Sequence, residues 1–269
     1  MIDLLLAASL TAAVPTAVPD SEGVKPAMFV VHDADTTVYI FGTFHALDGQ
    51  DDWFSGNLRS AFERSQELML ETMVPKRRAA LAAFTSTKGP QLAGYSVTPS
   101  ASFLATTKLA VAAGHSHGLN VANGADMVLR HIAESEGKSV DGLETFDSQL
   151  KMFARLPSAL APAPKPTASA NETEEAAPDL SNTMSTMQDA WKRGDQTVFL
   201  RMVDQFRRSS PDAYRVMFTE RNARWADWIA ARLRTPGTVF VAVGTGHLVG
   251  KDSVLVRLAE RGIESARLN

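Results

Sequence analysis

The chain has 269 residues, a formal net charge of −3 and no cysteine. This length accommodates one large domain or two small ones, either with a sizeable core. The lack of thiols excludes disulfide frameworks, Fe–S clusters and cysteine nucleophiles, and the near-balanced charge argues against a surface built to coat nucleic acid. Covalent chemistry then falls to Ser, Thr, Lys or carboxylates, and any metal site to Asp, Glu and six histidines: His32, His45, His115, His117, His131 and His247.

Leu4 to Val14 is an apolar run followed by small residues and proline. It has the pattern of an export-signal core with its cleavage zone, although Asp3 stands where a basic residue is usual. Periplasmic or secreted localisation is therefore expected, with residues 1–20 outside the folded part. No apolar stretch reaches the ~18 residues of a membrane-spanning helix. Met28–His32 and Thr36–Phe41 are β-rich runs around Asp33-Ala34-Asp35, a hairpin signal. Phe54 to Gln66 has helical spacing, and Glu67–Glu71 reads as a short buried strand. Arg77 to about Gly94, Ser102 to Ala113 and Asp126 to Glu136 read as helices. Ser139–Leu143 reads as a strand with Glu144 at its end, and Thr145 to Leu156 as a helix. Pro157 to Leu180 is rich in Ala, Pro, Ser, Thr and Glu and has no aromatic residue, so it reads as a flexible surface insertion. Thr183 to Arg234 is largely helical with Gly194 and Pro211 as punctuation. Thr238–Val243 is the cleanest strand, Lys251 to Arg261 a helix and Glu264–Leu268 a final strand. Strands mixed with many helices predict an α/β or α+β fold, a central mixed sheet flanked by helices.

An internal repeat organises this pattern. Residues 36–47 (TTVYIFGTFHAL) align with residues 238–249 (TVFVAVGTGHLV) at a constant offset of 202, with identical Thr36/Thr238, Gly42/Gly244, Thr43/Thr245 and His45/His247. Each half runs strand, G-T-x-H turn, helix, strand. Glycine permits a tight turn, and the histidine after it falls just beyond the strand's carboxyl end, where open α/β sheets build their sites. His45 and His247 are thus expected to face each other, as metal ligands or general bases. Gly42, Thr43, Gly244 and Thr245 are candidates for substrate contact. The repeat also argues for one sheet in one domain over residues 24–269, with two pseudo-symmetric halves, rather than for two domains.

Carboxylates at strand ends complete such a site. Glu71 ends LMLET and Glu144 ends DGLET, while Asp126 starts a helix after Gly124. Arg221 and Asn222 lie on a helix beside Trp225 and Trp228, which read as core; Arg221 is suited to orient a carboxylate or an anionic group. Three competing motifs fit less well. Gly114-His115-Ser116-His117-Gly118 matches the G-x-S-x-G elbow of serine α/β-hydrolases, but the preceding TTKLAVAAG reads as well as a helix, and the His45 repeat is left unexplained. His115 and His117 read as an exposed loop. GTGHLVG lacks the following strand and acidic residue of a dinucleotide site.

PAMFVVHDADTTVYIFGTFHAL, the strand ending in Glu71, KSVDGLETFDSQLKMFARLP, ERNARWA and VFVAVGTGHLVGKDSVLVRLAERG resemble the TraB/GumN family in order and spacing, from about Pro26 to Leu268. That family is related to Tiki proteases and to bacterial pheromone-shutdown proteins. The resemblance implies a central sheet with related halves and, in Tiki-type members, metal-dependent peptide hydrolysis with Mn or Co. It maps His45 and His247 onto the two motif histidines, Glu71 onto the strand-end acid, Glu144 onto the acid of GLE, and Arg221 and Asn222 onto the RN pair. The expectation is a metal-dependent peptidase-like hydrolase of the cell envelope. In it Mn, Co or Zn is held by His45, His247 and Glu71, Glu144 is the base, and Arg221 and Asn222 hold the oxyanion. The alternative is a binding protein that sequesters a peptide or envelope-derived ligand in the same cleft.

Overall fold

A computed structural model describes residues 24–73, 91–92, 95–96, 118–156 and 180–269. Its strands are β1 (Met28–His32), β2 (Thr36–Thr43), β3 (Glu67–Thr72), β4 (Gln91–Leu92), β5 (Tyr95–Ser96), β6 (Ser139–Glu144), β7 (Gly237–Gly244) and β8 (Ala266–Arg267). Its α-helices are α1 (Gly56–Arg64), α2 (Ala125–Ser135), α3 (Phe146–Ala154), α4 (Leu180–Lys192), α5 (Thr197–Ser209), α6 (Pro211–Tyr214), α7 (Glu220–Arg232) and α8 (Val254–Ala259). Six strands form one sheet in the order β6-β3-β7-β2-β1-β8. Neighbours from β6 to β2 run parallel, and β1 is antiparallel to both β2 and β8.

The two strands carrying the sequence repeat are neighbours at the centre of this sheet, as expected for an α/β fold whose first and last portions share one sheet. Central β2 and β7 are buried on both faces, which explains their nearly unbroken apolar runs. On one face Tyr39 and Phe41 of β2 and Phe240 and Ala242 of β7 meet α1, α2, α4 and α5 through Phe62, Leu129, Trp191 and Phe199. On the other, Val38, Ile40, Val239 and Val241 meet α7 and α8 through Trp225, Ile229 and Leu258. Helices on both faces make this a three-layer α/β/α arrangement.

Register adds a detail that the aligned sequences do not contain. Gly42 pairs across the sheet with Val243, and Thr43 with Gly244. Repeat-equivalent residues are therefore staggered by one position and point to opposite faces. Tyr39 faces the aromatic layer, whereas its repeat equivalent Val241 faces α7 and α8.

The hairpin, α1, β3, α2, β6, α3 and β7 all form where the sequence places them, within a residue or two at most ends. The helix expected from Arg77 to Gly94 does not run through Gln91–Leu92, which pair antiparallel with Tyr95–Ser96. A Gly89-Pro90 step just before it in the sequence disfavours carrying a helix through this point. The last helix is shorter than Lys251 to Arg261 because Ser253 caps it, its hydroxyl accepting from the Val256 N–H at 3.2 Å. The final strand contracts to Ala266–Arg267. The N-terminal apolar run, the rest of residues 77–94, Ser102 to Ala113, the His115-Ser116-His117 motif and most of the Ala/Pro segment lie outside the described residues. Among the described residues, no helix is long and apolar enough to cross a membrane.

Helix α7 is entered through a π-turn, Arg215–Thr219, where the Glu220 N–H donates to the Arg215 carbonyl. Such a wide turn shifts the phase of the following helix. Arg221, Asn222, Trp225, Ala226 and Ile229 then share the face that α7 turns to the sheet.

Candidate active site

The carboxyl ends of β2, β3 and β7 open into a cleft of about 440 Å³. His45, Glu71, Arg221, Gly244, Thr245 and His247 line its floor. The walls are apolar and rich in methionine: Met127 of α2, Phe153 of α3, Met187 of α4, Met202 of α5, and Met217 and Phe218 of the π-turn.

Both glycines of the repeat are there because of space rather than conformation. Gly244 has φ −54 and ψ 136, which any residue tolerates. A Cβ on Gly244 would lie 3.1 Å from Glu71 Oε1, 3.1 Å from His45 Nε2 and 3.8 Å from His247 Cδ2. One on Gly42 would come within 2.8 Å of Thr245 Oγ1. That hydroxyl donates to the Thr43 carbonyl at 3.0 Å and clips the two turns together. The Gly42 carbonyl also accepts from buried Trp191 Nε1 at 2.7 Å.

The geometry around Gly244 puts His45 Nε2 within about 7 Å of the His247 ring and about 6 Å of Glu71 Oε1 at most. The two motif histidines therefore do converge, but into unlike surroundings. His247 is buried between Phe218 and Trp225, with ring centroids at 4.7 and 4.6 Å. Its Nδ1 donates to Asn222 Oδ1 at 2.6 Å, and Asn222 Nδ2 donates to the Asp252 carbonyl at 2.7 Å, which fixes the amide's orientation. That leaves His247 Nε2 as an acceptor, and Arg221 Nη1 donates to it at 3.2 Å. Burial, with the Arg221 charge beside it and against the pull of Glu71, depresses the His247 pKa to about 3.

His45 differs. Its side chain is 57% exposed at the base of the cleft, and Nδ1 lies 3.2 Å from Asp126 Oδ1. The enclosing protein opposes its charge, but Asp126 and then Glu71 outweigh this and push its pKa up to about 9.

Arg221 is the hub. Only 4% exposed, it reaches Glu71 Oε2 at 2.7 Å and Glu144 Oε1 at 2.5 Å through Nη2, and its guanidinium carbon lies 4.5 Å from the Trp225 ring centroid. Arg224 stands 3.8 Å from the other Glu144 oxygen. Glu71 Oε1 also accepts the Gly244 N–H at 2.7 Å. Burial alone would raise the Glu71 pKa, but Arg221, His247, His45 and this N–H hold it well below the usual carboxylate range.

A protein-family model, the TraB/PrgY/gumN family, matches residues 27–93 and 72–267. The chain belongs to that family. No curated protein and no solved structure matches it. In this TraB/PrgY/gumN chain the residues expected at the site gather at the carboxyl ends of the sheet strands. Arg221 and Asn222 direct their donors to Glu71, Glu144, His247 and Asp252 within the protein. Glu144 is 5% exposed and committed to Arg221. Asp126, in the sequence only a carboxylate opening a helix, lies 3.2 Å from His45 Nδ1. The Met and Phe walls had no sequence signal, because they come from separate helices.

The divalent metal that the family resemblance implies does not fit these residues as arranged. A metal on His247 would sit about 2.0–2.1 Å from Nε2 along its lone pair, and Arg221 Nη1 already points there. Among the described residues, no group of three or more His, Asp or Glu side chains is gathered to hold a metal ion.

Two expected results follow from this packing. Gly244→Ala should destabilise the protein by about 1–3 kcal/mol although its backbone angles suit alanine, because the new methyl lies 3.1 Å from Glu71 Oε1 and from His45 Nε2 and must displace one of them. Thermal melts check this, and a variant as stable as wild type refutes the close packing. The second concerns acid. His247 has an ordinary value of 6.5 and a folded value near 3, so the unfolded chain takes up its proton first. Its contribution is complete above pH 6.5 and is lost as pH falls toward 3, at up to about 1.4 kcal/mol per pH unit. Glu71 adds a loss below its ordinary value of 4.5. Melts between pH 7.5 and 4 should show this decline, and His247→Gln should flatten its upper part.

Proposed function

We propose that this TraB/PrgY/gumN-family protein is a hydrolase of peptide or similar amide bonds, acting in the cell envelope, with His45 as general base. The observation that carries the reading is the His45–Asp126 pair. Of the ionisable groups on the cleft floor, His45 alone combines wide exposure with a ring nitrogen 3.2 Å from a carboxylate, while buried Arg221 and His247 and half-buried Glu71 are bonded to one another.

In the neutral form of His45, Nε2 accepts a proton from a cleft water as the water oxygen attacks the substrate carbonyl. The same proton is then delivered to the departing amine, which leaves as the carbon–nitrogen bond breaks. Asp126 orients the ring and stabilises the imidazolium between these steps, the division of labour found in His–Asp catalysis generally. Glu71 presents a fixed negative charge next to His45. The adaptable methionine walls suit apolar side chains flanking the scissile bond. Envelope localisation rests on the N-terminal apolar run.

The test is a broad library of peptides and amide or ester model substrates, assayed with and without EDTA. Turnover by wild type that is lost in His45→Gln supports the reading. Saturable peptide binding without turnover, unchanged in His45→Gln, would instead indicate a sequestering protein.

A further inference from the structure

We propose that the Arg221 guanidinium takes the place a divalent cation would hold, so that the paired G-T-x-H turns form a site that excludes Mn²⁺, Co²⁺ and Zn²⁺. This deepens the hydrolase reading by assigning the positive charge of that site to a side chain. A metal there would perform three tasks: balance Glu71 and Glu144, fix the inward nitrogen of His247, and tie β3 and β6 to β7. Arg221 performs each of them. One nitrogen, Nη2, bridges Glu71 and Glu144, the strand-end acids of β3 and β6. Nη1 meets His247 Nε2 on the turn after β7.

Arginine does not release its proton at any working pH, so this cation cannot be titrated away. It sits on Trp225 and is enclosed by the protein at 4% exposure. A metal ion approaching His247 would meet a like charge about 3 Å from its ligand atom. The outer ring nitrogen of each histidine is held, by Asp126 or Asn222, in the manner of metal-bound imidazoles. The frame for a metal is thus present, with its centre filled.

Metal binding is measured without turnover, so the result is independent of whether a substrate has been found. Metal-stripped wild type and His45→Ala/His247→Ala are titrated calorimetrically with MnCl₂, CoCl₂ and ZnCl₂. Equal, weak uptake by both places any binding elsewhere on the chain and supports the proposal. One equivalent bound by wild type and lost in the double variant overturns it. Arg221→Gln releases His247 Nε2 and both carboxylates and should bind Zn²⁺ about tenfold or more tightly than wild type. A folded Arg221→Gln that gains nothing overturns the proposal too. Arg221→Lys keeps a cation in place and should remain as metal-poor as wild type; if Arg221→Gln fails to fold, this variant and the wild-type pair still decide. Activity absent under every condition would sink the hydrolase reading while leaving these titrations valid.

Discussion

Arg221→Met is expected to destabilise the protein by about 3–5 kcal/mol, the cost of breaking a buried ion pair from one side. The substitution keeps much of the side-chain volume and its contact with Trp225, so the loss is electrostatic rather than steric. Glu71 would keep the Gly244 N–H and the nearby histidines but lose its direct ion pair, and Glu144 would keep only Arg224, at 3.8 Å. His247 Nε2 would lose its donor. For a chain of this size such a loss lowers the melting temperature by roughly 10 °C. Adding Glu144→Gln removes one of the stranded charges and should recover part of the loss, so the double variant is more stable than additivity predicts. A loss under about 1 kcal/mol for Arg221→Met would show that the guanidinium is not the hub described here.

His45→Gln should have the opposite profile, near-native stability with turnover lowered by about 10²–10⁴-fold. Its ring is largely exposed and carries little of the core, so melting should barely move. Wild-type turnover should depend on pH with a defined sign. The base is the neutral imidazole, and Asp126 holds the His45 pKa near 9, so activity rises from pH 7 and levels off above about 9. Asp126→Asn weakens the hold on the cation, which moves this limb toward lower pH and reduces the plateau. A flat profile between pH 7 and 9.5, or a His45→Gln variant with full activity, would remove His45 from the role of base.

The sequence placed most of the fold's elements and brought the motif residues to the strands' carboxyl ends, and the reason is physical. Each strand–Gly–Thr–x–His frame puts a histidine just past a strand's carboxyl end, a placement local enough to read, although His45 lies in a bend and His247 in a 3₁₀ turn. The same holds for Glu71 and Glu144, whose positions follow from strand length. Roles were less legible. Whether Arg221 offers its donors to a ligand or to Glu71, Glu144 and His247 depends on the phase of α7, and a π-turn sets that phase. Nothing in RVMFT announces a π-turn. Asp126 was visible as a helix-opening acid, but its partnership with His45 depends on how α2 docks against the first turn. The glycines were read as conformational devices, whereas their backbone angles are ordinary; crowding from the neighbouring turn is visible only in three dimensions.

A chain that writes the same G-T-x-H frame twice looks as if it carries a spare. The one-residue stagger between β2 and β7 removes that redundancy. Because equivalent positions face opposite sides of the sheet, one histidine reaches the open cleft and the other is sealed under aromatic rings beside an arginine. The first changes charge near pH 9, whereas the second stays neutral until acid. Neither can stand in for the other, so a repeat that looks like duplication gives two different environments, one histidine open to the cleft and its twin packed into the frame.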